Sequence, residues 1–131
     1  MGEKDFRQMM AEAAAAVDGI SVSSALGLLN DSGAQFVDVR EDGEWAEGRI
    51  PGAVHAPRGL LESIADPNQP QHNAAISRDK TLVLYCAAGG RSTLAAKTLL
   101  DMGYTRVCSL TGGLTAWRQA WPRRGLARAR P

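Results

Sequence analysis

Cys86 is the residue whose type and setting most invite covalent chemistry. It follows Thr81 to Tyr85 (TLVLY), a continuous apolar run of the kind a parallel sheet buries on both faces. After it come Ala87, Ala88, Gly89, Gly90, Arg91 and Ser92. In an open parallel sheet, ligands bind beyond the carboxyl ends of the strands. A thiol at such an end faces the first turn of the next helix, where unpaired N–H groups and the positive end of the helix dipole converge. Small residues and two glycines let the chain curl so that successive N–H groups point inward, a nest for an anion. The same field favours thiolate over thiol. Arg91 closes the loop with a fixed positive charge. The expected site is therefore a Cys86 nucleophile with Ala87 to Ser92 as its anion-binding loop. A cysteine after a buried strand is otherwise a small core residue, and the glycine loop is what argues against that here. Cys108 has no such loop behind it and is expected to pack in the core, with a resolving thiol for Cys86 as the alternative.

The elements that must position this loop alternate between strand and helix. Phe6, Met9, Met10, Ala13 and Val17 lie on one face of a helix over residues 3 to 17, suited to docking on the domain or on a second subunit. Residues 20 to 23 read as an edge strand, and Ser23 as the N-cap of a helix through Leu29 that ends near Gly33. Strands are expected over residues 35 to 40, just after the turn at Pro51-Gly52, over 81 to 85 and over 106 to 110. Helices are expected over 44 to 47 with Asp42 as cap, over 58 to 65, from Ser92 to a stop at Gly103, and from Gly112 to a stop at Pro122. Residues 66 to 80 are polar and proline-bearing, a surface connection. The pattern gives an α/β domain with a mostly parallel sheet covered on both faces. The expected organisation is an N-terminal helical extension over 1–19, one domain over 20–122, and a basic, solvated tail over 123–131.

Composition narrows the function classes. The chain has 131 residues, enough for one domain with one sizeable core. Its 15 Lys+Arg against 14 Asp+Glu give a formal charge of +1, so no global pull toward nucleic acid or a membrane surface is expected. No window approaches the length of apolar chain that spans a bilayer, and Glu3, Asp5 and Glu12 make the N-terminus a poor signal peptide. Two cysteines are too few for a disulfide scaffold, and with His55 and His72 they lack zinc-site spacing. A reducing cytoplasm with free thiols is the expected setting.

Three stretches resemble the rhodanese-like sulfurtransferases. Val37-Asp38-Val39-Arg40, with Glu44-Trp45 and Gly48-Arg49-Ile50-Pro51-Gly52-Ala53, is similar to that family's D-V-R…E-[FYW]-x-x-G-H-I-P-G-A. Tyr85 to Ser92 resembles its loop C-x-x-G-x-R-S, and Gly112-Gly113 with Trp117 resembles its closing G-G-x-x-x-W. Arg49 stands where the family usually has His. The resemblance runs from about Ile20 to Pro122. It implies a rhodanese-like three-layer sandwich, a five-stranded parallel sheet with helices on both faces. It implies transfer of sulfane sulfur from a small anionic donor, thiosulfate or a persulfide, through a Cys86 persulfide to a thiol acceptor such as that of a carrier protein. No metal or organic cofactor is implied. Arg91 would bind the donor, and the loop N–H groups would hold the persulfide.

Asp38 and Arg40 match the family's D-x-R and are expected to support the site, Arg40 by pairing with Glu44 or another acid. His55 is expected to be a satisfied structural histidine near the pocket, and Trp117 and Trp121 to cover the sheet edge, with Trp117 a candidate wall of the mouth. Two rival classes share the fold. A phosphatase or arsenate reductase would want a C-x5-R loop, and Cys86 to Arg91 is C-x4-R, one residue short. A non-catalytic binding or regulatory module would not need the cysteine and arginine that this loop keeps. Donors of the 3-mercaptopyruvate kind go with loops lacking the closing arginine. Monomer and homodimer are both open.

Overall fold

The computed structural model describes residues 2–121. The expected tail over 123–131 and the helix stop at Pro122 lie outside the described residues. Five strands form one parallel sheet: β1 (Asp18–Ile20), β2 (Ala34–Asp38), β3 (Val54–His55), β4 (Thr81–Tyr85) and β5 (Val107–Leu110). Their spatial order is β1-β5-β4-β2-β3, which puts β4 at the centre. The register pairs Asp38 with Tyr85 across β2–β4 and Leu84 with Ser109 across β4–β5. The carboxyl ends of these three strands therefore finish side by side.

β4 explains the three layers. Its side chains alternate faces, and both faces are buried. Leu82, Leu84 and then Cys86 point into one core with Leu61, Ala65, Ala95 and Leu99. Val83 and Tyr85 point into the other with Ala25, Leu114 and Trp117. The first core is covered by α4 (Leu61–Ala65) and α5 (Gly90–Asp101), the second by α2 (Val22–Leu26) and α6 (Gly113–Ala120). The N-terminal helix α1 (Phe6–Ala16) packs on α5 and buries Ala13, while Phe6 and Met9 stay exposed. A capping box starts α1: the Gln8 N–H donates to Asp5 Oδ1 at 2.9 Å, and the Asp5 N–H donates to Gln8 Oε1 at 2.9 Å.

Several boundaries differ from the sequence reading, each for a local reason. The edge strand lies earlier, at Asp18–Ile20. Ser21 rather than Ser23 caps α2, accepting the Ser24 N–H at 3.1 Å, and that helix ends at Leu26. Asp42 is the first residue of α3 (Asp42–Glu47) and Glu41 is its cap. Residues 58 to 65 split into a 3-10 turn (Arg58–Leu60) and α4. Helix α5 begins at Gly90, two residues before Ser92, because Gly89 takes φ +113° and turns the chain into the helix early. Arg91 and Ser92 thereby stand in its first turn.

Candidate active site

Cys86 sits at the junction of β4 and α5, and its residue surface is only 1% exposed. Two main-chain donors converge on Sγ: the Gly89 N–H at 3.1 Å and the Ser92 N–H at 3.4 Å. Ser92 Oγ lies 3.5 Å away. Burial pushes the thiol up and is the largest single influence. The Ser92 hydroxyl and the N–H groups of Ser92, Gly89 and Ala88 together outweigh it and leave Cys86 below the ordinary thiol range. Cys108 provides the contrast. It is partly buried on β5, its sulfur lies 3.6 Å from the Leu82 carbonyl, and burial pushes it up to about 11.

The loop's carbonyls must point elsewhere for its N–H groups to point inward. The first turn of α6 takes them: the Leu114 N–H donates to the Cys86 carbonyl at 2.8 Å and the Thr115 N–H to that of Ala87 at 3.0 Å. This close seating explains the Gly112-Gly113 pair. Gly113 has φ +59°, and a Cβ there would stand 2.6 Å from both carbonyl oxygens. The Gly89 carbonyl is likewise engaged, by Thr93 Oγ1 at 2.7 Å.

Behind Ser92 stands a residue that sequence reading passed over. Ser109 Oγ on β5 lies 2.8 Å from Ser92 Oγ, and Thr93 Oγ1 lies 3.3 Å from Ser109 Oγ. Ser109 is 5% exposed, so its hydroxyl is held by these partners. The pleat signals it, since it neighbours the buried β4 residue Leu84 in register.

On the other side, β2 and the α3 that follows it supply the acids of two ion pairs. Arg40 pairs with Asp38, not Glu44: its Nε donates to Oδ1 at 3.0 Å and its Nη2 to Oδ2 at 2.8 Å. The Arg40 N–H also reaches Oδ1, at 2.9 Å, and Nη2 donates to the Gly48 carbonyl at 2.7 Å. Burial pulls the Arg40 guanidinium down, but Asp38 more than restores it. Asp38 and Arg40 are both buried, and among the described residues neither makes a hydrogen bond to Cys86, so they brace the strand end.

Glu44 instead holds Arg91, with Nη1 at 2.7 Å from Oε1 and Nη2 at 3.0 Å from Oε2. The Arg91 contact holds the Glu44 carboxyl down at about 2. The Arg91 guanidinium is in turn held up, by Glu44 first and by Cys86 to a lesser degree.

His55 donates from Nε2 to the Arg40 carbonyl at 2.7 Å and stacks on Trp45 at 4.7 Å between ring centres. It is a satisfied structural residue. Arg49 lies over the other indole contact, 4.2 Å from the Trp45 ring centre, and donates to the Trp45 carbonyl at 3.0 Å. Trp117 is no wall of the mouth. It is fully buried and packs edge-on against Phe36 at 5.9 Å, because the face of α6 that carries it turns into the second core. Trp121 donates to the Val22 carbonyl at 3.3 Å, closing α6 onto the start of α2.

A parallel sheet covered on both faces, with a cysteine nested among N–H groups at the end of its central strand, defines the class of α/β domain. Comparison with known proteins names the family. The Rhodanese-like domain model matches residues 21–120, and the chain belongs to that family. A protein of Allochromatium vinosum named sulfurtransferase is 36% identical over 101 residues, 77% of this chain and 85% of its own. The Pseudomonas aeruginosa thiosulfate sulfurtransferase GlpE is 36% identical over 94 residues, 72% of this chain and 78% of its own. A solved structure from Rhodopseudomonas palustris, described as of unknown function and a possible tyrosine phosphatase, is 36% identical. It superposes with a TM-score of 0.83 over 92% of this chain and 93% of its own.

Proposed function

We propose that this protein transfers sulfane sulfur from thiosulfate or a persulfide donor to a thiol acceptor through a persulfide on Cys86. The observation that carries the reading is the cradle at Sγ, with N–H donors at 3.1 and 3.4 Å and a hydroxyl at 3.5 Å. It is built around one sulfur atom. In the first step the Cys86 thiolate attacks the outer sulfur of thiosulfate. The S–S bond of the donor breaks and its electron pair leaves with sulfite. The new terminal sulfur carries the negative charge, and the loop amides from Ala87 to Ser92 offset it. In the second step an acceptor thiolate attacks that terminal sulfur, and Cys86 leaves as thiolate. Two easy displacements replace one difficult transfer. Names of relatives support the class: the matched proteins of A. vinosum and P. aeruginosa are named sulfurtransferases.

The test is a mass measurement. Thiosulfate treatment is expected to add the mass of one sulfur atom to the peptide holding Cys86, and cyanide or dithiothreitol to remove it. An unmodified Cys86 would sink the thiosulfate reading. The description of the R. palustris structure favours a second reading, phosphate-ester hydrolysis. The loop speaks against it, since a tetrahedral phosphate wants the wider C-x5-R ring. Turnover of p-nitrophenyl phosphate without sulfur transfer would reverse that choice.

A further inference from the structure

Arg91 is the cation that an anionic donor would meet at the mouth, and it is already engaged. Both terminal nitrogens are spanned by the Glu44 carboxylate, at 2.7 and 3.0 Å. Both partners reach the surface, with side chains 38% and 36% exposed, while Cys86 beneath is buried. Glu44 is itself anchored: its Oε1 accepts the Glu41 N–H at 3.1 Å at the start of α3. Among the described residues, Arg40 at the end of β2 is spent on Asp38 and the Gly48 carbonyl. Glu44 thus offsets the positive charge that Arg91 alone would bring to the mouth.

From this we infer that Glu44 is a specificity-determining residue of the site. It occupies the Arg91 edge that a sulfonate or sulfate group would use, and so selects against dianionic donors relative to donors of lower charge. The inference rests on the sulfur-transfer reading for its meaning. Its physical content, competition between Glu44 and an anion for Arg91, does not depend on any transfer.

Glu44→Gln separates charge from shape. Gln keeps an oxygen for the Glu41 N–H and for one Arg91 N–H, and removes the negative charge. The primary readout is protection of Cys86 from iodoacetamide by sulfate, an unreactive dianion, followed on the Cys86 peptide. Glu44→Gln is expected to lower the protecting sulfate concentration by about tenfold, the scale of one unit charge acting on a dianion at contact range near a surface. KM for thiosulfate is expected to fall by a similar factor, and KM for a simple alkyl persulfide, a monoanion, by distinctly less. Arg91→Ala is expected to abolish sulfate protection. Unchanged or weaker sulfate protection in Glu44→Gln would overturn the inference and assign Glu44 to holding Arg91 in place. Protection that survives Arg91→Ala would overturn it too. Failure of sulfur transfer with sulfate competition intact would refute the proposed function alone.

Discussion

Ser92→Ala tests how the fold prepares Cys86 for the proposed chemistry. The substitution removes one hydroxyl, 3.5 Å from Sγ, and leaves the Ser92 and Gly89 N–H groups in place. A hydrogen bond to a charged group contributes about 1.5–3 kcal/mol at good geometry. At this separation the low end applies, about 1.5 kcal/mol, and roughly 1.4 kcal/mol is one pKa unit. The Cys86 thiol in Ser92→Ala is therefore expected to ionise about one unit higher. The assay is the pH dependence of iodoacetamide alkylation, read on the two cysteine peptides. Below the wild-type midpoint the variant should react about tenfold more slowly. Well above both midpoints the two proteins should converge, the variant slightly faster because a more basic thiolate is the better nucleophile. Cys108, pushed up to about 11 by burial, serves as the slow internal reference.

The sign extends to stability. A thiol that ionises lower in the folded chain stabilises the fold above its unfolded pKa, and that contribution is lost as pH falls through the folded value. Ser92→Ala should narrow this window. Ser109→Ala, which removes the partner 2.8 Å from Ser92 Oγ, should shift the profile the same way by less. An unmoved or acid-shifted profile in Ser92→Ala would refute the reasoning and leave the amides as the sole support of the thiolate.

Two further substitutions probe the frame around the loop. Asp38→Ala leaves the buried Arg40 guanidinium with the Gly48 carbonyl alone and should cost about 3–5 kcal/mol in urea unfolding; a loss below about 1 kcal/mol would mean that water reaches the pair. Gly113→Ala places a Cβ 2.6 Å from the Cys86 and Ala87 carbonyl oxygens at φ +59°. It should cost about 1–3 kcal/mol from the backbone conformation alone, and more from the clash. Thermal unfolding measures that loss. Cys86 alkylation in the folded variant should slow as the loop loses its shape, and an unaltered rate would show that α6 does not set the loop.

What was legible in the sequence is what is encoded within a few residues. The run Thr81 to Tyr85 announces a strand buried on both faces, and Gly89-Gly90 announces a turn that lets amides face inward. Which of the two glycines takes the positive φ is not encoded locally, so the start of α5 was placed late. The Arg91 partner was out of reach for a different reason. Glu44 lies 47 residues away, and either acid near Arg40 satisfied local spacing. The sheet decides: β2 pairs beside β4, Asp38 takes the backward-folding Arg40, and α3 carries Glu44 to the loop. Ser109 was hidden in the same way, because a serine within a short strand looks like any half-buried position until its neighbour is known. Trp117 failed on direction, since a short helix can turn either face to the sheet.

The three motifs are separated in sequence because the three strands that carry them are neighbours in space. β4 leads into Cys86, the proposed nucleophile. From β2, through α3, comes a carboxylate that reaches the loop's arginine. β5 supplies the hydroxyl behind Ser92, and the glycine pair after it lets α6 draw the loop carbonyls away from the sulfur. Each of three residues around the loop carries a different property: donor selection with Glu44, thiolate support with Ser109, loop orientation with Gly113. These properties should be separable by experiment, because each residue acts on the site through different atoms. Glu44 acts on the incoming anion, through Arg91, and makes no hydrogen bond to Cys86 among the described residues. Ser109 acts on ionisation and leaves the binding of sulfate at Arg91 alone. A double variant of Glu44→Gln with Ser109→Ala should therefore combine its effects additively.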